Sequence, residues 1–376
     1  MSISKIPVAT SGRQNHLLVC ILFALLPFTA CRHQPTEPSK PESAVLPEAS
    51  SEAEDPYFVM PTDTLSEYGP GSITRNMLED RNGNIWFSTW EGIVGYDGHV
   101  FTNYTLKYNL RKFHMFSLLE DSKGNLWFGS IRGGLYRYDP RASPDSNPFR
   151  LFTTSDGLVS DYIECLCEDN QGNLWIGTDS GVSRINLNKL SDTGPPSCTN
   201  YTVADGLAYD YIHSIALDAT GKIWIGTDGG VSWYNEAAGD QARSFEDINK
   251  IDGNAFHNVR CIISTRFGAV ILGGQDGLFR YEARNALDKP VLTQQREDFI
   301  GYVYEDHEGY LWISHGNPGA SGMSLSRFDG DQFVEMARGP QIFGILEDSR
   351  KSVWFETVSG PGRINENGLK YFSKQN

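Results

Sequence analysis

Glu79-Asp80-Arg81-Asn82-Gly83-Asn84-Ile85-Trp86-Phe87 opens a series that runs through most of this 376-residue chain. It returns as Glu120-Asp121-Ser122-Lys123-Gly124-Asn125-Leu126-Trp127-Phe128 and as Glu168-Asp169-Asn170-Gln171-Gly172-Asn173-Leu174-Trp175-Ile176. Asp218-Ala219-Thr220-Gly221-Lys222-Ile223-Trp224-Ile225 is a fourth copy, and Glu305-Asp306-His307-Glu308-Gly309-Tyr310-Leu311-Trp312 a sixth. Between them lies a degenerate fifth, with Gly268, Val270 and Ile271 where Trp belongs; the seventh runs from Glu347-Asp348 to Val353-Trp354. From Trp to Trp, with Ile271 standing in, the intervals are 41, 48, 49, 47, 41 and 42 residues. One four-stranded propeller blade has that length. The seven copies therefore predict an all-β fold, a seven-bladed β-propeller of four-stranded antiparallel blades.

Each copy has a physical logic. An alternating apolar run such as Ile163-Glu164-Cys165-Leu166-Cys167 leads into Asp-x-x-Gly, which reverses the chain: Asp bonds the backbone two residues on, and Gly accepts the positive φ of a short hairpin. Leu-Trp-Ile-Gly-Thr follows as a buried strand whose Trp should pack between neighbouring blades. A third strand, such as Gly134–Tyr138, and an outer one, such as Phe149–Thr153, complete the unit. Asp80-Arg81-Asn82-Gly83 has some likeness to a calcium loop, but the bidentate Glu at the far end of such a loop is missing, and a hairpin turn explains it.

These residues resemble the two-component regulator propeller repeat, a family of bacterial periplasmic sensor blades with the pattern Glu-Asp-x-x-Gly-x-Leu-Trp-Ile-Gly-Thr-x-x-Gly-Leu-x-Arg-Tyr. The match is best at Glu168–Ile185 and Glu120–Tyr138 and covers roughly residues 66–373. The fifth copy departs, with Ser264-Thr265 for Glu-Asp, and the seventh has Lys351-Ser352 where Gly-Asn belongs. Streptogramin lyases are similar at blade level, and that weaker resemblance implies an enzyme using His and Glu on one face with a magnesium ion. Sialidase Asp-box turns are similar at the turn alone.

Residues 1–31 read as a lipoprotein signal peptide. Lys5 and Arg13 precede an apolar stretch, Leu17–Ala30, too short to span a bilayer comfortably. Phe28-Thr29-Ala30-Cys31 looks like a lipobox, which implies cleavage before Cys31 and lipidation of that residue, with a membrane anchor as the consequence. Residues 32–56 are rich in Pro, Glu and Ser and read as a disordered tether. Residues 57–376 form the propeller. The expected location is the cell envelope, on the outer membrane or periplasmic face if the host has two membranes. A net charge of −15 makes nucleic acid a poor partner. No zinc spacing appears and no cofactor is expected. Cys165, Cys167, Cys198 and Cys261 are expected to be unbridged.

Aligning the repeats with one another separates two faces. The Asp-x-x-Gly turns are nearly uniform, whereas the opposite face varies, and that side can carry chemistry. The residue eight before the turn Gly is Arg75, Phe116, Glu164, His213, Arg260, Gly301 and Phe343 around the ring, with Lys351 holding the Gly place in blade seven. Turns between second and third strands add Trp90, Glu91, Arg132, Asp179, Asp228, Gln275 and Asp276, and blade six alone has a long loop, His315–Met323. The expected ligand-binding set is Arg75, Trp90, Phe116, Arg132, Glu164, His213, Arg260, His315 and Phe343. Trp90, Phe116 and Phe343 would stack on sugar rings or peptide side chains, and Arg75, Arg132 and Arg260 would take carboxylates. The chain would then bind a small molecule, glycan or protein as a sensor-type propeller, with any signalling protein separate because the seven blades use up the chain. Glu164, His213 and His315 are the catalytic candidates of the alternative, a lyase or hydrolase. A structural scaffold in an envelope complex is the third reading.

Overall fold

Seven inner strands, Thr74–Glu79, Met115–Glu120, Ile163–Glu168, Ile212–Leu217, Val259–Ser264, Ile300–Glu305 and Ile342–Glu347, line the axis of a ring. In this computed structural model each begins a four-stranded antiparallel meander in sequence order, and in blade one a short fifth strand, Leu65–Ser66, pairs outside the meander. The structure describes residues 55–373, apart from 144–145, 192, 235–243, 248–255, 283–290, 318–321 and 340. The leader, Cys31 and most of the tether lie outside the described residues. Each inner strand packs on that of the next blade, and the seventh packs on the first.

The Asp of each repeat organises more than its turn. In six blades one carboxylate oxygen accepts the backbone N–H groups two and four residues on. The other oxygen accepts the indole N–H of the Trp six residues on, at 2.8 Å, from Asp80–Trp86 to Asp348–Trp354. A buried indole keeps a hydrogen-bond partner this way while its ring enters the seam between blades. Trp175, for example, packs with Val182 and Tyr201 of its own blade and with Ile212, Ile215 and Ile225 of the next. Blade five lacks both partners together. Thr265 replaces Asp and bonds both backbone groups of Ala269, and Ile271, which has no N–H to satisfy, replaces Trp.

The Glu before that Asp works between blades. Glu120 accepts from the backbone N–H and guanidinium of Arg81 in blade one, and Glu168 from the N–H and hydroxyl of Ser122 in blade two. Glu305 holds the N–H of Arg266, and Glu347 the N–H and ring of His307. Glu79 reaches the N–H and hydroxyl of Ser349, both at 2.6 Å, and so ties blade one to blade seven. Blades four and five have Leu217 and Ser264 at this position.

Among the described residues closure uses no exchanged strand: blade seven completes its own sheet with Gly368–Tyr371. The joint adds a Gly69 N–H to Phe372 carbonyl bond of 2.8 Å and the packing of Phe87 and Phe101 on Trp354 and Phe372. The added outer strand of blade one is Leu65–Ser66, not the apolar island Tyr57–Met60. That island lies against the ring: Val59 N–H donates to the Trp90 carbonyl, and the Tyr57 ring packs at a tilt on Trp90. Asp55 is buried, accepting from the backbone N–H of His114 at 2.8 Å and contacting its ring. The four cysteines are unbridged.

Candidate functional site at the channel mouth

Every inner strand breaks register with its neighbour one residue after it starts. The pairing skips from Thr74 to Asn76, Met115 to Ser117, Ile163 to Cys165, Ile212 to Ser214, Val259 to Cys261 and Ile300 to Tyr302. In blade seven it skips from Ile342 to Ile345. The residue left unpaired is Arg75, Phe116, Glu164, His213, Arg260 and Gly301 in turn, and in blade seven Phe343 together with Gly344. A bulge of this kind re-aims one side chain without disturbing the alternation on either side. All seven positions line one cavity of about 470 Å³ on the axis.

The cavity wall has a defined internal order. The Arg75 guanidinium lies between two rings, 3.9 Å from the centroid of Phe116 and 4.4 Å from that of Phe343. Both phenyl rings, expected to stack on a ligand, thus present a face to Arg75. Among the described residues Arg75 makes no hydrogen bond and no ion pair. Glu164 is buried and accepts from the Tyr211 hydroxyl at 2.6 Å. Burial raises its pKa above the usual carboxyl value, opposed by that hydrogen bond and by the charges of Arg75 and Arg260. His213 bonds Asp228 through Nε2 at 2.7 Å, and Asp228 also accepts from the Asn258 amide. Burial lowers the His213 pKa, and Asp228 pulls the other way, so the ring is neutral at pH 7. Glu164 and His213 share the cavity without bonding each other. Arg260 is exposed to it, with no hydrogen bond or ion pair among the described residues.

Three expected site residues lie elsewhere. Trp90 is outside the cavity wall, packed between the rings of Tyr57 and His114 with centroids at 5.8 and 5.3 Å, both tilted. Arg132 holds a left-handed conformation, φ 70°, in the blade-two turn and is not in the cavity wall. Both ring nitrogens of His315 are engaged, with Asp298 at 2.9 Å and Ser326 at 2.8 Å, and the side chain is buried. Most of the long loop that follows it, 318–321, lies outside the described residues. No group of three His, Cys, Asp or Glu side chains among the described residues is placed to hold a metal ion.

One residue escaped the repeat comparison. Two positions after the Trp the blades carry Ser88, Gly129, Gly177, Gly226, Gly273, Ser314 and then Glu356. Small residues there admit an inner-strand side chain: a Cβ on Gly177 would lie 2.4 Å from Cys165 Sγ. Blade seven inverts the exchange. Gly344 stands on the inner strand, where a Cβ would meet Glu356 Oε2 at 2.3 Å, and the Glu occupies the space. Glu356 is fully buried, neither carboxyl oxygen has a hydrogen-bond partner among the described residues, and burial raises its pKa well above normal against the pull of Arg75. Its departure from an otherwise small series was visible in the sequence.

The two component regulator propeller family profile matches residues 67–91, 114–132, 157–180 and 206–229, each from the approach to an inner strand to the end of the second strand. No curated protein matches the chain. Among solved structures, the extracellular domain of BT3049 from B. thetaiotaomicron, described as a hybrid two component system, aligns with a TM-score of 0.62 at 21% identity. That alignment covers 81% of this chain and 41% of the other, so the chain spans about two-fifths of that relative's length. The extracellular domain of BT4673 from the same organism gives 0.62 at 18% identity, over 80% of this chain and 39% of the other. A catalytically inactive virginiamycin B lyase from Staphylococcus aureus, solved with quinupristin, gives 0.58 at 14% identity over 80% and 98%. Identities this low establish a shared fold. With the Asp–Trp turns and the profile in agreement, the chain is a seven-bladed propeller in which blades one to four carry the two component regulator propeller repeat.

Proposed function

We propose that this propeller is an extracytoplasmic, sensor-type binding module that takes a small molecule, or the tip of a glycan or peptide, into its channel mouth. The observation that carries the reading is the set of seven register breaks that bring two Arg, two Phe, one Glu and one His side chain, with Gly301 at the remaining place, to one cavity. Concave sites with a few convergent polar groups on a rigid frame are the usual form of ligand pockets. The extracellular sensor domains of similar fold support the setting, and so does the lipobox-like Cys31, through which the chain would be anchored to a membrane. A thermal-shift screen of the full chain against glycans, peptides and small metabolites tests it. A hit should be abolished by Phe116→Ala or Glu164→Gln and left intact by Phe267→Ala on the opposite face. A hit indifferent to the channel variants refutes the placement.

A lyase or hydrolase is the second reading, and the His213–Asp228 pair at the cavity favours it. A neutral imidazole oriented by a carboxylate is equipped to take a proton. In that case His213→Ala should abolish turnover while a channel ligand still binds.

A further inference from the structure

We propose that the channel ligand carries a singly charged carboxylate, anchored by the Arg75 guanidinium and a second cation, Arg260. This inference rests on the reading that the ligand enters the channel, and it concerns the ligand's chemical class.

A guanidinium has two faces and an edge. Phe116 and Phe343 cover the faces of Arg75, at 3.9 and 4.4 Å, and fix its plane. What remains is the edge, where the N–H donors lie in a rigid fork suited to two parallel bonds with a planar oxyanion. No acceptor among the described residues uses that fork. Structural arginines elsewhere in the ring behave differently: Arg81 bonds Glu120, and Arg280 bonds Glu282. Arg260, three blades from Arg75 in one direction, faces the same cavity with its charge unmatched by an ion pair.

Geometry sets the class. The two guanidinium groups share one cavity, and neither has an ion-pair partner among the described residues. Glu164, on the same wall, is turned to the Tyr211 hydroxyl, and the rim acids Asp179 and Asp228 are held by Ser160, Ser180, His213 and Asn258. A carboxylate is planar and meets the planar fork with two oxygens, whereas a tetrahedral phosphate monoester would bring a second negative charge beside these acids.

The test is calorimetric titration of the full chain with benzoate and butyrate, their amides, and phenyl phosphate. Benzoate or butyrate should bind and the amides should not, and Arg260→Gln should weaken the carboxylate at least about tenfold. Arg75→Lys keeps the charge but loses the fork, and it should weaken binding by a similar factor. Circular dichroism of both variants separates a lost contact from a lost fold. Tighter binding of phenyl phosphate, or of an amide, through the same arginines would leave the channel site standing and overturn the carboxylate class. Carboxylate binding that ignores every channel substitution would remove the site as well as its class. No response to either carboxylate overturns the inference, while the channel site is judged separately by the broader screen.

Discussion

At the turn rim six Asp–Trp bonds of 2.8 Å recur, while at the channel mouth no two adjacent blades present the same side chain. Both rims are built from the same inner and second strands, a few residues apart. The turn rim must satisfy a buried indole and two backbone N–H groups, and in four blades a side-chain donor as well, with one carboxylate, and few residues can do that. The bulge at the other end removes its residue from the ladder, so nothing in the sheet constrains what stands there. Uniformity therefore reports structural demand, and variation reports freedom to carry chemistry. Blade five supports the first half of that statement, because its Asp and Trp disappear together.

Substitutions at the turn rim should produce the largest losses of stability. Trp175→Ala empties the seam between blades three and four and should cost about 3–5 kcal/mol in denaturant unfolding. Asp218→Thr, which strands the Trp224 indole N–H, should cost about 1–3 kcal/mol. Adding Trp224→Ile reproduces the blade-five pair, so the double variant should lose less than the sum of the singles. Full additivity would show that the two residues are not a unit and would break the contrast between the rims.

Glu356 lies fully buried behind Gly344 of the inner strand and tests the contrast from the other side, since it opposes stability. Burial raises its pKa in the folded chain above the unfolded value near 4.5, so the folded state holds a proton that the unfolded state releases. Stability is then fully present below about pH 4.5 and falls as pH rises through the window up to the folded pKa. Glu356→Gln has no such window. It should be more stable than the parent by about 1–2 kcal/mol at pH 7, and the two should converge in acid. A gap that persists at low pH would contradict the protonated-carboxyl account.

Blade number, the order of the four strands within a blade and the division into a uniform and a variable face were legible because each is a periodic property; the way the ring closes was not, because that joint occurs once. The channel set Arg75, Phe116, Glu164, His213, Arg260, Gly301 and Phe343 could be picked out for the same reason. Its internal arrangement could not: repeat spacing is blind to contacts between side chains of different blades, such as Arg75 between Phe116 and Phe343. The role of the Glu in Glu-Asp was hidden likewise, since its partner lies one blade away. Trp90 and His315 stood out as single residues, and each is engaged by a neighbour distant in sequence, Tyr57 in one case and Asp298 in the other.

The closure joint should give a moderate effect. Glu79→Ala removes two bonds to Ser349, both partly exposed, and should cost about 0.5–1.5 kcal/mol. Because no strand crosses this joint, the loss should appear mainly as faster unfolding, measured by stopped-flow dilution into denaturant.

Arg260→Gln should have the smallest effect on stability and is the sharpest test of the comparison. The side chain is exposed to the cavity, bonds nothing among the described residues and sits at a bulge that tolerates Arg, Phe, Glu, His or Gly in this one molecule. Its removal should shift unfolding free energy by no more than about 0.5 kcal/mol, as for an ordinary surface substitution. The sign carries information as well. Burial lowers the Arg75 pKa and repulsion from Arg260 adds a smaller push in the same direction, so relief of that repulsion should make any shift favourable. A stabilised variant would mean that the ring is strained to keep a second cation in its channel. A clear destabilisation would mean that Arg260 supports the wall, and that variation at the bulges does not by itself distinguish structure from chemistry.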